Sequence, residues 1–155
     1  MAKACFDKAI DLLSRRTHFR RELSSKLASR GYESDEVADA IERLASLGYL
    51  DDRQATEQFA RQKLARGPVG RRRLLADLLR RGAPEEDASA VLDELMPQDD
   101  REAALTAAQR SRHRDNPEAA ARYLQRQGFS RRAIFFVLEE LKSLSQSQGA
   151  EAGNE

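Results

Sequence analysis

The chain has 155 residues, 34% of them charged and 40% apolar, with a formal net charge of +1. That balance suits a soluble helical protein and excludes both a strongly charged disordered chain and a uniformly basic nucleic-acid glove. Cys5 is the single cysteine, so no internal disulfide forms. No apolar run reaches membrane-span length and no signal-peptide core is present, so a soluble, cytoplasmic protein is expected.

Residues 4–14 carry Phe6, Ala9, Ile10 and Leu13 at helical spacing and predict a first helix facing inward through them. The stretch ELSSKLASRGYESDEVADAIERL, residues 22–44, reads as helix, glycine turn and helix, with Ser34 as the expected N-cap. Residues 52–66 predict a fourth helix through Ala55, Phe59 and Leu64, capped by Asp51. Arg66-Gly67-Pro68-Val69-Gly70 lacks the lysine and strand context of a phosphate loop and reads as a connector. RLLADLLRRGAPEEDASAVLDEL, residues 73–95, again reads helix, glycine, helix. Residues 100–113 predict a seventh helix through Ala103, Ala104, Ala107 and Ala108, and Asp99-Asp100-Arg101-Glu102 resembles a capping box. Asn116-Pro117-Glu118 places an N-cap before a proline at N1. AAARYLQRQGFSRRAIFFVLEEL, residues 119–141, closes the pattern, and SLSQSQGAEAGNE, without periodicity, is expected to be disordered.

Three of these stretches align on Gly31, Gly82 and Gly128, which stand 51 and 46 residues apart. Four residues before each glycine sit Leu27, Leu78 and Leu124; ten after sit Ile41, Leu92 and Leu138; thirteen after sit Leu44, Leu95 and Leu141. These spacings share one helical face and are assigned to the core. Each glycine suits the left-handed position that ends a helix. The expected fold is all-α: three tandem three-helix repeats at 1–50, 51–98 and 99–142, then a disordered tail at 143–155. A three-helix unit is marginal alone, so the repeats should stack into an elongated, curved array. A monomer is expected, because stacked repeats satisfy their cores internally.

Charge is sorted along the chain. Residues 12–32 hold six bases and one acid, 33–52 one base and seven acids, 61–82 eight bases and one acid, and 83–100 seven acids and no base. Acids at helix starts and bases at helix ends are ordinary dipole complements on a solvated surface. Arg71, Arg72 and Arg73 break that preference by opening a helix, as do Arg131 and Arg132. Bases placed against local preference point to an acidic partner. The first candidates for partner contact are therefore Arg71, Arg72, Arg73, Arg80 and Arg81, followed by Arg15, Arg16, Arg20 and Arg21. Arg110, Arg112 and Arg114, with His113, form a weaker cluster.

No enzymatic constellation stands out, so no catalytic, cofactor or metal residue is assigned. His18 and His113 are far apart and lack neighbouring Cys or His ligands; each reads as solvent-facing or partly packed. Glu85-Glu86 and Glu139-Glu140 point in different directions on their helices and read as surface. A helix-turn-helix DNA reader is the sharper competitor. Its second helix would enter the major groove, yet DEVADAIERLA and EEDASAVLDEL are acidic and would repel phosphate. DNA contact should come instead from the preceding basic helices. Only the third repeat, opening with Ser130-Arg131-Arg132, could dock conventionally.

LLSRRTHFRRELSSKLASRGY, RLASLGYLDDRQATEQFARQKL and RGPVGRRRLLADLLRRGAP closely resemble successive signatures of the RecX regulatory family, and YLQRQGFSRRAIFFVLEEL resembles its terminal repeat. The resemblance runs from about residue 5 to residue 142, with Ala83-Pro84 standing where the family more often has an aliphatic residue. It implies three tandem three-helix repeats and a non-enzymatic partner of the RecA recombinase. Members bind the RecA filament on DNA, lie in its helical groove, and inhibit ATP hydrolysis, strand exchange and the coprotease activity behind the SOS response. Some bind single- or double-stranded DNA directly, which keeps a stand-alone DNA-binding protein as the alternative. The family motifs single out no contact residue, so the arginine assignments rest on charge.

Overall fold

The computed structural model describes residues 2–151 and 153. Among the described residues there are nine helices and no strand. They are α1 (Ala2–Arg15), α2 (Arg20–Ser29), α3 (Ser34–Ser46), α4 (Asp52–Ala65), α5 (Arg71–Arg81), α6 (Glu85–Leu95), α7 (Arg101–Arg110), α8 (Pro117–Arg126) and α9 (Arg131–Glu151). Two compact units form: unit 1 is Met1–Ala60 with Asp77–Val91, and unit 2 is Arg61–Ala76 with Leu92–Glu155. Sequence repeat and compact unit thus partition the chain differently, because the repeat reports local helical pattern and the unit reports packing. The unit boundary runs through α4, α5 and α6.

In unit 1, α1, α2 and α3 pack on one another. Cys5, Ala9 and Leu12 of α1 meet Leu23 and Leu27 of α2 and Val37, Ala40 and Leu44 of α3 in one buried cluster. In unit 2, α7, α8 and α9 do the same. Ala104, Ala107 and Ala108 of α7 let Leu124 of α8 and Ala133, Val137 and Leu141 of α9 approach closely. Each fully buried leucine contributes about 1.5–3 kcal/mol relative to exposure.

Leu27, Leu78 and Leu124 are buried as the glycine alignment requires. Of the later positions, Leu44, Leu92 and Leu141 are buried as expected, whereas Ile41, Leu95 and Leu138 are only half-buried; beside Ile41 and Leu138 it is the preceding residue, Ala40 or Val137, that is buried. Phe6, Ile10 and Leu13 likewise flank the unit 1 core, and Cys5 and Leu12 occupy its centre. Successive helical residues differ by about 100°, so two neighbours border the same apolar face and periodicity finds the stripe without its midline.

Several caps differ from expectation. Ser34 is the first helical residue; Glu33 is the N-cap, and the Glu36 carboxylate accepts from its backbone N–H at 3.2 Å. Asp51 does cap α4, accepting from Gln54 N at 3.1 Å, and Asn116 caps α8, accepting from Ala119 N at 3.1 Å before Pro117 at N1. Asp100 is the N-cap of α7 but makes no side-chain capping hydrogen bond, and the expected capping box does not form there: its carboxylate instead accepts from Ser130 N at 2.8 Å and from Ser130 Oγ at 2.6 Å. The expected disordered tail instead continues α9 to Glu151. Extending an existing helix is far easier than nucleating one; the hydroxyls of Ser143, Ser145 and Ser147 are satisfied there by donating to carbonyls four residues earlier. Residues 152, 154 and 155 of that segment lie outside the described residues.

The alignment glycines Gly31, Gly82 and Gly128 have φ of +90°, +112° and +84°. After Gly128, Phe129 N donates to Leu124 O at 3.1 Å, a reversal that binds the turn to a core leucine. The connector before α5 then closes on this turn within unit 2. Gly70 N donates to Gln127 O at 2.8 Å, and Gly70 O accepts the first α5 bond from Leu74 N at 3.1 Å. A Cβ on Gly70 would lie 2.1 Å from Gly128 C, and one on Gly128 would lie 2.3 Å from Arg73 N. Gly70→Ala is therefore expected to cost about 1–3 kcal/mol and lower Tm by roughly 2–12 °C in a thermal melt. Gly149→Ala, inside α9 where an added Cβ meets nothing within 4 Å, should not lower Tm, since alanine favours the helix.

Candidate functional site

Unit 1 gathers one basic cluster from the end of α1, from α2 and from the end of α5. Glu22 is its organiser: Arg16 donates to it through both terminal nitrogens, at 3.1 and 2.9 Å, and Arg81 Nε stands 3.8 Å away. Burial pushes the Glu22 carboxyl up, but the Arg16 hydrogen bond and the charges of Arg16 and Arg81 outweigh it, so its pKa lies below the usual value. Arg81 also covers the Phe59 ring, 4.5 Å from guanidinium carbon to centroid. Arg80 pairs with Asp77, and Arg21 and Lys26 line the same open groove. Arg15 lies apart, bound to Asp11 at 3.2 Å. Arg20 is exposed, and its backbone N–H donates to Asp52 at 2.9 Å. Burial raises the Asp52 pKa against that hydrogen bond.

Beneath this cluster sits His18, 2% exposed rather than solvent-facing or partly packed. Its Nδ1 lies 2.9 Å from Arg16 O and its Nε2 3.0 Å from Lys26 Nζ. The carbonyl can only accept and the ammonium can only donate, so the neutral ring carries its proton on Nδ1. Burial lowers the His18 pKa; the Arg16 carbonyl opposes this, and the charges of Arg16 and Lys26 reinforce it. The Lys26 pKa is lowered by burial and by Arg16.

Unit 2 presents a second surface, a groove of about 1200 Å3. Arg71 and Arg72 enter it from the start of α5, Arg122 from α8, and Arg131 and Arg132 from the first turn of α9. Arg71 is held by Asp93 at 2.7 Å, and Arg72 reaches Gln125 O at 3.4 Å. Asp99 is engaged by Arg101 at 2.6 Å, and that side-chain hydrogen bond brings the Asp99 pKa down to about 2. Arg73 is exposed but outside the groove. Among the described residues, no group of three or more His, Cys, Asp or Glu side chains converges on a metal-sized site, and no helix is long and apolar enough to cross a membrane.

Residues 5–44 match the family described as RecX, first three-helix domain, and residues 51–92 match RecX, second three-helix domain. The regulatory protein RecX of a Thermus thermophilus strain is 40% identical over 121 residues, covering 78% of this chain and 80% of that one. The chain belongs to the RecX family. The regulatory protein RecX of Chromohalobacter salexigens is 39% identical over 127 residues, covering 79% of this chain and 83% of that one. The crystal structure of RecX from Lactobacillus salivarius superposes with a TM-score of 0.78 at 21% identity, covering 91% of this chain and 96% of that one, and shows the same fold.

The two RecX-family surfaces divide the nine arginines singled out by charge. Arg16, Arg21, Arg80 and Arg81 gather in unit 1, and Arg71 and Arg72 in unit 2. Arg15, Arg20 and Arg73 join neither groove. Sequence reasoning missed Lys26 and Arg122 because each is one base among helix-surface residues. It also missed Phe135, although Ile134-Phe135-Phe136 signalled it: three consecutive apolar residues cannot all face one helix core. The burial of His18 yields a pH test. Unfolded histidine titrates near 6.5, and folded His18 titrates lower. Between those values the unfolded chain binds a proton that the folded chain rejects, so stability is present above the window and lost as pH falls through it. Tm should fall between pH 7.5 and 5.5, and His18→Gln should flatten that slope; an unchanged slope would assign the loss to other groups.

Proposed function

We propose that this RecX-family chain is a negative regulator of the RecA recombinase. On this reading it seats in the helical groove of the RecA–DNA filament and inhibits ATP hydrolysis, strand exchange and the coprotease activity that triggers the SOS response. The observation that carries the reading is the RecX match across residues 5–92, together with 40% identity to a regulatory protein over most of the chain. The charge pattern supports it. A repeating filament offers the same acidic features at intervals, and a chain of helical repeats with separate basic surfaces meets several of them at once. Weak contacts linked in this way gain avidity without any single tight site, and complementary charge speeds encounter and fixes register. Arg71, Arg72 and Arg73 are the first contact residues on this reading, because their charge opens a helix whose dipole already favours anions.

Titrating the chain into RecA hydrolysing ATP on single-stranded DNA tests the reading. Substoichiometric inhibition, with weak binding of the chain alone to DNA, is the expected result. Absent inhibition, with tight DNA binding that weakens steeply with salt, would replace it with a stand-alone DNA-binding protein. In the same assay, Arg71→Glu, Arg72→Glu and Arg73→Glu combined should raise the half-inhibitory concentration about tenfold or more while the chain stays folded by circular dichroism. A folded triple variant that inhibits normally removes this patch from the mechanism.

A further inference from the structure

The internal repeat supplies a control for the unit 2 groove. Fifty-one residues along the chain, Arg20 becomes Arg71, Ser24 becomes Leu75, Glu42 becomes Asp93, Ala45 becomes Met96 and Ser46 becomes Pro97. The first set helps line a shallow groove of about 530 Å3 within unit 1. The second set helps line the groove of about 1200 Å3 within unit 2. The base and the carboxylate recur, while three small side chains become leucine, methionine and proline. The unit 1 groove is lined by α2 and α3 alone, whereas the unit 2 groove adds a wall from α8 and α9 that includes Phe135. Phe135 is 66% exposed, the most open of the large apolar side chains among the described residues. Ile134 and Leu138 flank it in the same groove.

The rim has its own signature. Arg72, Arg122, Arg131 and Arg132 line the groove, are exposed, and form no ion pair with another described residue. The groove's carboxylates already have close partners: Asp93 holds Arg71, Asp99 holds Arg101, and Asp100 accepts from Ser130. Arg131 and Arg132 also stand at the positive end of the α9 dipole, where their charges add to the helix field. The result is an apolar floor under a rim of five arginines against three aspartates, a net charge of +2. At about 1200 Å3 it stands just beyond the upper end of the roughly 300–1,000 Å3 typical of small-molecule pockets and has room for a peptide segment. Single-stranded nucleic acid is the poorer match: such sites stack successive bases on several aromatic faces, whereas this wall exposes one phenylalanine beside aliphatic residues and three carboxylates.

We propose that the unit 2 groove is a docking site for an acidic, apolar-bearing peptide segment of the protein partner. Apolar side chains of that segment seat among Leu75, Met96 and Phe135, and its carboxylates meet Arg122, Arg131 and Arg132. The inference rests on the reading that the partner is the RecA filament, and it names where on this chain that partner is gripped and by what chemistry.

The test measures affinity of the full chain for a RecA filament assembled on oligo(dT), beside affinity for oligo(dT) alone and ATPase inhibition. Four variants are compared: Phe135→Ala, the double change Arg131→Glu with Arg132→Glu, its conservative counterpart Arg131→Lys with Arg132→Lys, and Leu144→Ala. Leu144 is an exposed apolar residue of α9 outside the groove, so its variant should match the parent. Phe135→Ala and the glutamate pair should each weaken filament binding at least about tenfold, with the lysine pair restoring most of it and oligo(dT) affinity unmoved by Phe135→Ala. If the parent binds and inhibits while every variant does the same, the groove is not the docking site and the regulator reading stands. If Phe135→Ala and the glutamate pair weaken oligo(dT) binding in parallel with filament binding, the groove is a nucleic-acid surface and the inference is overturned. A parent chain that neither binds nor inhibits the filament removes the regulator reading, and this inference with it.

Discussion

The approach of Gly70 to Gly128 is the constraint on which the unit 2 surface depends. Two backbones meet there with no room for a side chain, and the Gly70 N–H donates to Gln127 O at 2.8 Å. Because Gly70 also accepts the first hydrogen bond of α5, this point anchors where that helix begins and which way Arg71 and Arg72 project. The turn at Gly128 is in turn bound to Leu124, a buried core residue of unit 2. Core packing, chain reversal and the aim of the basic helix start are therefore one connected set of contacts. A change in any of them moves the groove wall.

Electrostatics acts on top of that frame and differs between arginines. Arg16, Arg71, Arg80 and Arg81 each stand within ion-pair distance of a carboxylate. Exposed pairs of this kind contribute about 0–1 kcal/mol, so their main consequence is orientation: they hold long side chains in place. Arg72, Arg122, Arg131 and Arg132 lack such partners among the described residues and leave uncompensated charge on the unit 2 surface. Lys26 is a third case, donating to a buried neutral histidine. Sequence charge alone treats all three kinds as equal.

Much of the architecture was legible because its signals are local. A glycine needed for a left-handed turn, a leucine four residues before it, and an Asn-Pro pair at a helix start each act within one or two helical turns. Gly31, Gly82, Gly128, Leu27, Leu78, Leu124 and Asn116 all sit as that logic requires. The failures share a cause as well. Asp99-Asp100-Arg101-Glu102 resembles a capping box, yet the N-cap is Asp100, whose carboxylate is claimed by Ser130, thirty residues away in sequence. Ile41 and Leu138 were read as core but lie at its edge, on groove walls. The tail lacks an apolar stripe, yet it prolongs a helix already nucleated by buried Ala133, Val137 and Leu141.

The candidate site was legible only in part. The run Arg71-Arg72-Arg73 stood out because it opposes the helix dipole, yet only two of the three enter the groove. Arg122 and Phe135 carried no comparable mark as individual residues. By itself, the sequence determined the all-helical class, the positions of the turns and the RecX kinship, since these follow from short-range backbone preference and from pattern. Tertiary structure alone decided which arginines are neutralised, which histidine is buried and which apolar side chains remain in water. Those outcomes depend on pairings between residues distant in the chain, and the linear pattern of charge and hydropathy does not specify which partners meet.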